Sequence, residues 1–155
     1  MNATPADVPF VWIALLVVSA SVLGVVLSVP TAPPPDADRV AAAIDEVAAT
    51  DHAAETVIPI DATAVRIEPT SIALRDSGGS AHASLYFGPV VPAQPGSDLA
   101  AVARGTRPDA LYATPAAFEA ALDRAHTREH TWRTAGDELR VRRVQFGEVD
   151  GVIVG

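Results

Sequence analysis

The sequence predicts an α+β protein with one N-terminal transmembrane helix, a Pro-rich stalk, and a small domain of antiparallel sheet with two or three short helices. Three observations carry this expectation. The twenty residues from Phe10 to Val29 contain no charge, and a helix of that length rises about 30 Å, the thickness of a hydrocarbon core. Pro30-Thr31-Ala32-Pro33-Pro34-Pro35 then blocks helix continuation and favours polyproline II. Beyond it, apolar residues recur in some stretches with the period of a helix and in others with that of a strand.

The expected division is therefore an N-terminal tail over 1–8, a transmembrane helix over 9–30, a stalk over 31–36 and a domain over 37–155. The first residues carry Asp7 and no Lys or Arg, and Ser28-Val29-Pro30 lacks the small-x-small pattern of a processing site. Both features favour an uncleaved signal-anchor over a signal peptide. The expected localisation is the cell membrane, single-pass. Arg39 is the sole basic residue close to the segment, and the stalk, which resembles a spacer holding a domain off a surface, favours an extracytoplasmic C-terminal domain.

Within the domain, Asp36 occupies an N-cap position, and Val40, Ala43, Ile44 and Val47 follow at helical spacing toward Thr50. Thr56 to Ile60, Val65 with Ile67, Ile72 with Leu74, and Ala83, Leu85 and Phe87 alternate as strands of one meander. A turn at Asp76-Ser77-Gly78-Gly79-Ser80 connects the last two. Ser97 caps a short helix to Arg104, stopped by Gly105. Thr114 and Pro115 open a better one, whose buried stripe is Phe118, Ala121, Leu122 and Ala125. After a turn at Ala135-Gly136-Asp137 come strands from Glu138 to Phe146 and from Val149 to Val154.

Composition excludes several classes of chemistry. The absence of cysteine rules out disulfides, thiol catalysis and Cys-ligated zinc. All eleven basic residues are Arg, and the nineteen acidic ones leave a net charge of −8. Such a surface repels nucleic acid and anionic lipid headgroups, so neither is an expected partner. An acid surplus also repels itself until salt screens it, which suits a salt-loving organism.

The chemical motifs each have a plainer explanation. His126-Thr127-Arg128-Glu129-His130 matches the H-x-x-E-H string of inverted zincins, in which His126 and His130 would bind zinc and Glu129 would activate water. A third ligand would have to come from the short remainder, so an exposed polar helix end is the expected role. His82, Ser84 and Tyr86 share a strand face, as residues two apart must. Arg140 and Arg142 are expected to point outward while Leu139 and Val141 pack inward, with Arg143 completing the one basic cluster. Gly78-Gly79 lacks the Lys and following helix of a phosphate loop. No catalytic, cofactor or metal residue is assigned.

The anchor, the PTAPPPD stalk, the ALRDSGGSAHASLYFGPV hairpin, the TPAAFEAA helix start and the RVRRVQFGEVDG ending together resemble an uncharacterised family of small haloarchaeal membrane-anchored proteins. The resemblance implies a haloarchaeal origin and association with type IV pilus-like or secretion machinery. It does not extend to pilins themselves, whose basic peptidase site is absent and whose helix would not break at Pro30 to Pro35. The expected function is a non-enzymatic accessory or structural subunit of an envelope assembly. Its expected partners are the membrane, through Phe10 to Val29, and other membrane or envelope proteins; no cofactor, nucleic acid or small-molecule substrate is predicted. The alternative is a membrane-tethered metal-dependent hydrolase using His126, Glu129 and His130.

Overall fold

The computed structural model describes residues 8–27 and 32–155, and the chain divides into two units, 1–31 and 32–155. The N-terminal tail before Val8, and Ser28 to Thr31 at the start of the proline segment, lie outside the described residues.

The first unit holds helix α1, Val8–Leu27, whose described side chains are those of 11–21. All are exposed, and from Val11 and Trp12 to Val18 they are apolar. Ser21 satisfies its hydroxyl within the helix by donating to the Val17 carbonyl at 2.8 Å. Among the described residues no helix is long and apolar enough to cross a membrane. This corrects three expectations: the transmembrane helix, the signal-anchor, and the single-pass membrane localisation with an extracytoplasmic domain. The finding concerns spanning helices alone.

The second unit is α+β. Its elements are α2 (Ala37–Ala48), β1 (Ala54–Pro59), β2 (Ala64–Glu68), β3 (Ser71–Asp76), β4 (Gly79–Ser84), β5 (Val91–Pro92), α3 (Asp98–Ala103), α4 (Pro115–Thr127), β6 (Arg133–Thr134), β7 (Glu138–Phe146) and β8 (Val149–Val154), with a 3₁₀ turn at Pro108–Ala110. They form two four-stranded sheets, in the orders β1-β7-β8-β5 and β4-β3-β2-β6. Every pairing is antiparallel except the two-residue contact of β5 with β8.

The helices begin where local chemistry starts them. Asp36 accepts the Arg39 amide at 2.9 Å, Ser97 accepts Ala100, and Thr114 accepts Ala117, each side chain satisfying a donor that the first turn leaves unpaired. Helix α2 lays Val40, Ile44 and Val47 against β1 and β7 of one sheet and β3 and β4 of the other. One core fills that space, with Ile58, Val65, Ile72, Leu74, Leu139 and Val141 buried in it. A second core lies on the opposite face of β7 and β8, where Val144 and Ile153 meet Phe118, Leu122 and Val102 of α4 and α3. The rings of Tyr112, Phe118 and Phe146 pack along it in tilted pairs at centroid spacings of 5.3 and 6.3 Å.

Three strand expectations need correction. The segment containing Ile58 does not join the meander of β2, β3 and β4; it pairs with β7, setting Ile58 opposite Leu139 and Thr56 opposite Val141. Phe87 does not continue the inward face, because β4 ends at Ser84 and the chain leaves the sheet. The sheet bearing β7 is covered on both faces, so no face of that strand is simply solvent.

The proline segment is not a free stalk over its described part. Pro35 is buried, and Ala32 and Pro33 lie against the β3–β4 turn. That turn is closed by Asp76, whose side chain accepts the Gly78 amide at 2.6 Å. A Cβ on Gly78 would meet the Ala32 carbonyl oxygen at 2.6 Å and collide with that of Pro33. Gly78→Ala is therefore expected to cost about 1–3 kcal/mol in urea unfolding. Gly136→Ala, whose nearest neighbour would be a backbone atom at 3.7 Å, serves as a control and should stay within about 0.5 kcal/mol. Equal midpoints for the two variants would mean that 32–35 do not rest on the turn.

Candidate functional site

The H-x-x-E-H string does not form a helical pair of histidines. Helix α4 ends at Thr127, and Arg128 turns extended at its C-cap, so the i, i+4 geometry that would aim His126 and His130 at one point is lost. His126 Nε2 lies 3.1 Å from the Val90 carbonyl, and His130 Nε2 lies 3.2 Å from that of Ala125. A carbonyl only accepts, so each Nε2 carries the proton. Both rings are half-buried rather than exposed. The bond from His126 falls where the chain passes from one core, at Val90, to the other, at Val91.

Glu129 and His130, but not His126, line a cavity of about 210 Å³ together with Arg128, Arg133 and Ile67. Burial pushes the Arg133 guanidinium below its ordinary pKa. Its Nη2 is buried without a hydrogen-bond partner among the described residues. The adjacent Trp132 ring is faced by two other arginines, with Arg75 Cζ at 4.3 Å and Arg66 Cζ at 5.2 Å from its centre. Cations over an indole gain about 0.5–1 kcal/mol each at such partly exposed sites. Among the described residues no group of three or more His, Cys, Asp or Glu is arranged to hold a metal ion.

The basic cluster is dispersed by the pleat of β7. Arg142 and Arg143 are neighbours in sequence and so face opposite sides of the sheet. Arg142 Nη1 donates to the Val102 carbonyl at 2.8 Å and to that of Thr106 at 3.2 Å, closing the end of α3. Arg143 Nη1 donates to the Ala48 carbonyl at 2.9 Å, closing the end of α2, and its other nitrogen pairs with Asp150. Each cation donates to a carbonyl at the C-terminal end of a helix and lies at the negative end of that helix's dipole. Arg140 pairs with Glu138 on its own strand. The expected half-exposed strand thus has two of its three arginines engaged as helix caps.

His82 and Ser84 are exposed on β4, and Tyr86 beyond it is 85% exposed. Ser84, Tyr86 and Phe87 border a cavity of about 440 Å³ against α2, lined also by Ala42, Asp45 and Glu46. Asp45, 8% exposed, accepts the Tyr86 amide at 3.0 Å and the Phe87 amide at 3.1 Å. Sequence reasoning missed this carboxylate because an acid on an amphipathic helix reads as part of its polar face and announces no distant partner. The one available signal was an acid placed beside the buried residues Ile44 and Val47.

Two predictions follow from these contacts. Arg142→Gln and Arg143→Gln should each cost about 1.5–3 kcal/mol, the range for hydrogen bonds to charged groups. Because they serve different helices on different faces, the double variant should be additive within about 0.5 kcal/mol in urea unfolding; a large coupling would mean that the two caps share one element. The second concerns Tyr112. Burial, with Asp98 adding to it, holds its phenol above the ordinary value of 10.0. The folded protein then keeps a proton that the unfolded chain has lost. The associated stability is present in full below pH about 10 and falls as pH rises through the folded value. Tyr112→Phe should flatten the loss of stability as pH rises above about 10, and an identical loss in both proteins would contradict the assignment.

Residues 3–144 match a family of unknown function, DUF7283, so the chain belongs to that family. No curated protein and no solved structure matches it.

Proposed function

We propose that this member of DUF7283 is a non-enzymatic accessory or structural subunit of an envelope assembly, pilus-like or secretion-associated, in a haloarchaeon. One observation supports the non-enzymatic reading above all others: the residues with the best chemical credentials are engaged in structural hydrogen bonds to backbone carbonyls. His126 binds Val90, His130 binds Ala125, Arg142 binds Val102 and Arg143 binds Ala48. An active site needs such groups to converge on a reacting atom, and here they diverge into separate parts of the fold.

Assembly is supported by the exposed apolar side chains between Val11 and Val18. A contiguous surface of that kind is satisfied by another apolar surface. The haloarchaeal part of the reading rests on the net charge of −8, whose self-repulsion falls as the Debye length shrinks to about 3 Å in molar salt.

The test is isolation of the native full-length chain in molar KCl, followed by identification and quantification of what accompanies it. A fixed stoichiometry of one or a few envelope proteins is the expected result. A chain that purifies alone and hydrolyses ester or peptide substrates, with that activity lost in the His126→Gln, His130→Gln variant, would overturn the proposal in favour of a hydrolase.

A further inference from the structure

The chain after β4 presents two aromatic side chains to solvent on a backbone that is held in place. Tyr86 is 85% and Phe87 57% exposed. The Asp45 carboxylate grips both of their amides, and the flanking residues are tied down as well. The Leu85 amide donates to Thr70 at 2.9 Å and the Val90 amide to Pro69 at 2.8 Å. Gly88, with φ of 76°, supplies the left-handed bend that returns the chain to the core. An exposed aromatic pair on a fixed backbone loses only two side-chain torsions per ring when it is covered, which is why such rings serve as anchors in protein interfaces.

Across the cavity from the rings runs the outer face of α2. Ala42 and Ala49 keep it shallow, and Asp38 and Glu46 stand on it as exposed carboxylates. Neither acid forms an ion pair among the described residues. At about 440 Å³ the cavity takes a few side chains rather than a large cofactor. Its chemistry selects their type. Aromatic faces attract a guanidinium or ammonium group, two unpaired carboxylates reinforce that choice, and the alanines accept the apolar stem of the same long side chain. In dilute salt, where the peptide test is read, a second copy of this chain is a poor occupant, since its net charge of −8 repels itself.

We infer that the groove between α2 and Tyr86-Phe87 docks a basic, Arg-bearing segment of a partner protein. The inference rests on the proposed role as an assembly subunit and names the surface and the partner chemistry through which the domain would serve it.

The test uses the full chain and two synthetic dodecapeptides, one alternating Arg with Leu and one alternating Glu with Leu. Binding is followed by calorimetry, and the site is mapped through amide shifts. The Arg peptide should bind and move the amides of Ser84 to Phe87 and of α2, while the Glu peptide should not. Tyr86→Ala with Phe87→Ala should weaken binding at least about tenfold. Asp38→Asn with Glu46→Gln should weaken it several-fold in dilute salt and much less in molar KCl. Tyr86→Phe keeps the ring and should keep most of the affinity. Circular dichroism checks that each variant is folded. Failure of the Arg peptide to bind, equal binding of the two peptides, or binding indifferent to the aromatic variants would overturn the inference. If native partners still accompany the Tyr86→Ala, Phe87→Ala chain at unchanged stoichiometry, the assembly role stands and this groove is not its seat.

Discussion

The domain depends on a constraint carried by one strand: β7 has both faces covered. Successive side chains must therefore serve two different cores. Leu139 and Val141 enter the core shared with α2, and Val144 enters the one shared with α3 and α4. An ordinary buried strand would meet this demand with apolar residues alone. Here Arg142 and Arg143 interrupt the apolar run, and their partial burial is tolerable because each guanidinium donates to a carbonyl at the end of a helix. The pleat and the two caps thereby link α2 and α3 through adjacent residues of the same strand.

Asp45 works by the same logic at longer range. It sits on a helix, yet its partners are amides some forty residues later. By capturing two consecutive amides it replaces the strand pairing that the chain gives up after Ser84. The side chains that would otherwise have alternated into and out of the sheet are redirected, and both rings emerge at the surface. A buried carboxylate with no catalytic assignment thus determines which residues the domain shows to solvent. The histidines of the H-x-x-E-H string have a comparable role, with His126 fixing the crossing between the two cores.

What could be read from the sequence was what local chemistry determines. The three caps at Asp36, Ser97 and Thr114 and the buried stripe of Phe118, Ala121, Leu122 and Ala125 stand where spacing and side-chain type put them. The meander of β2, β3 and β4 was legible because neighbouring strands joined by short turns pair with each other. The partner of β1 was not, since β7 lies some eighty residues away and alternation carries no information about which strand lies alongside. The expectation that Arg140 and Arg142 face solvent arises because a periodic pattern treats charge as exposure, and the helix-end carbonyls that Arg142 and Arg143 reach cannot be seen in it. Phe87 was misplaced because alternation was extended past the point where Asp45 ends the strand. The spanning segment was inferred from composition and length alone, whereas among the described residues no helix meets both requirements. The groove beside α2 was invisible for the same reason as Asp45: it is made by two segments that share no local pattern.

If β7 is the element on which both cores depend, its interior amides cannot open unless the whole domain opens. Native-state hydrogen exchange of the full chain under increasing denaturant measures this directly. The account predicts that the ladder amides from Val141 to Val144 exchange with the free energy of global unfolding and are the last in the domain to do so. Exchange of these amides through a cheaper opening, with those of β2 and β3 still protected, would contradict it.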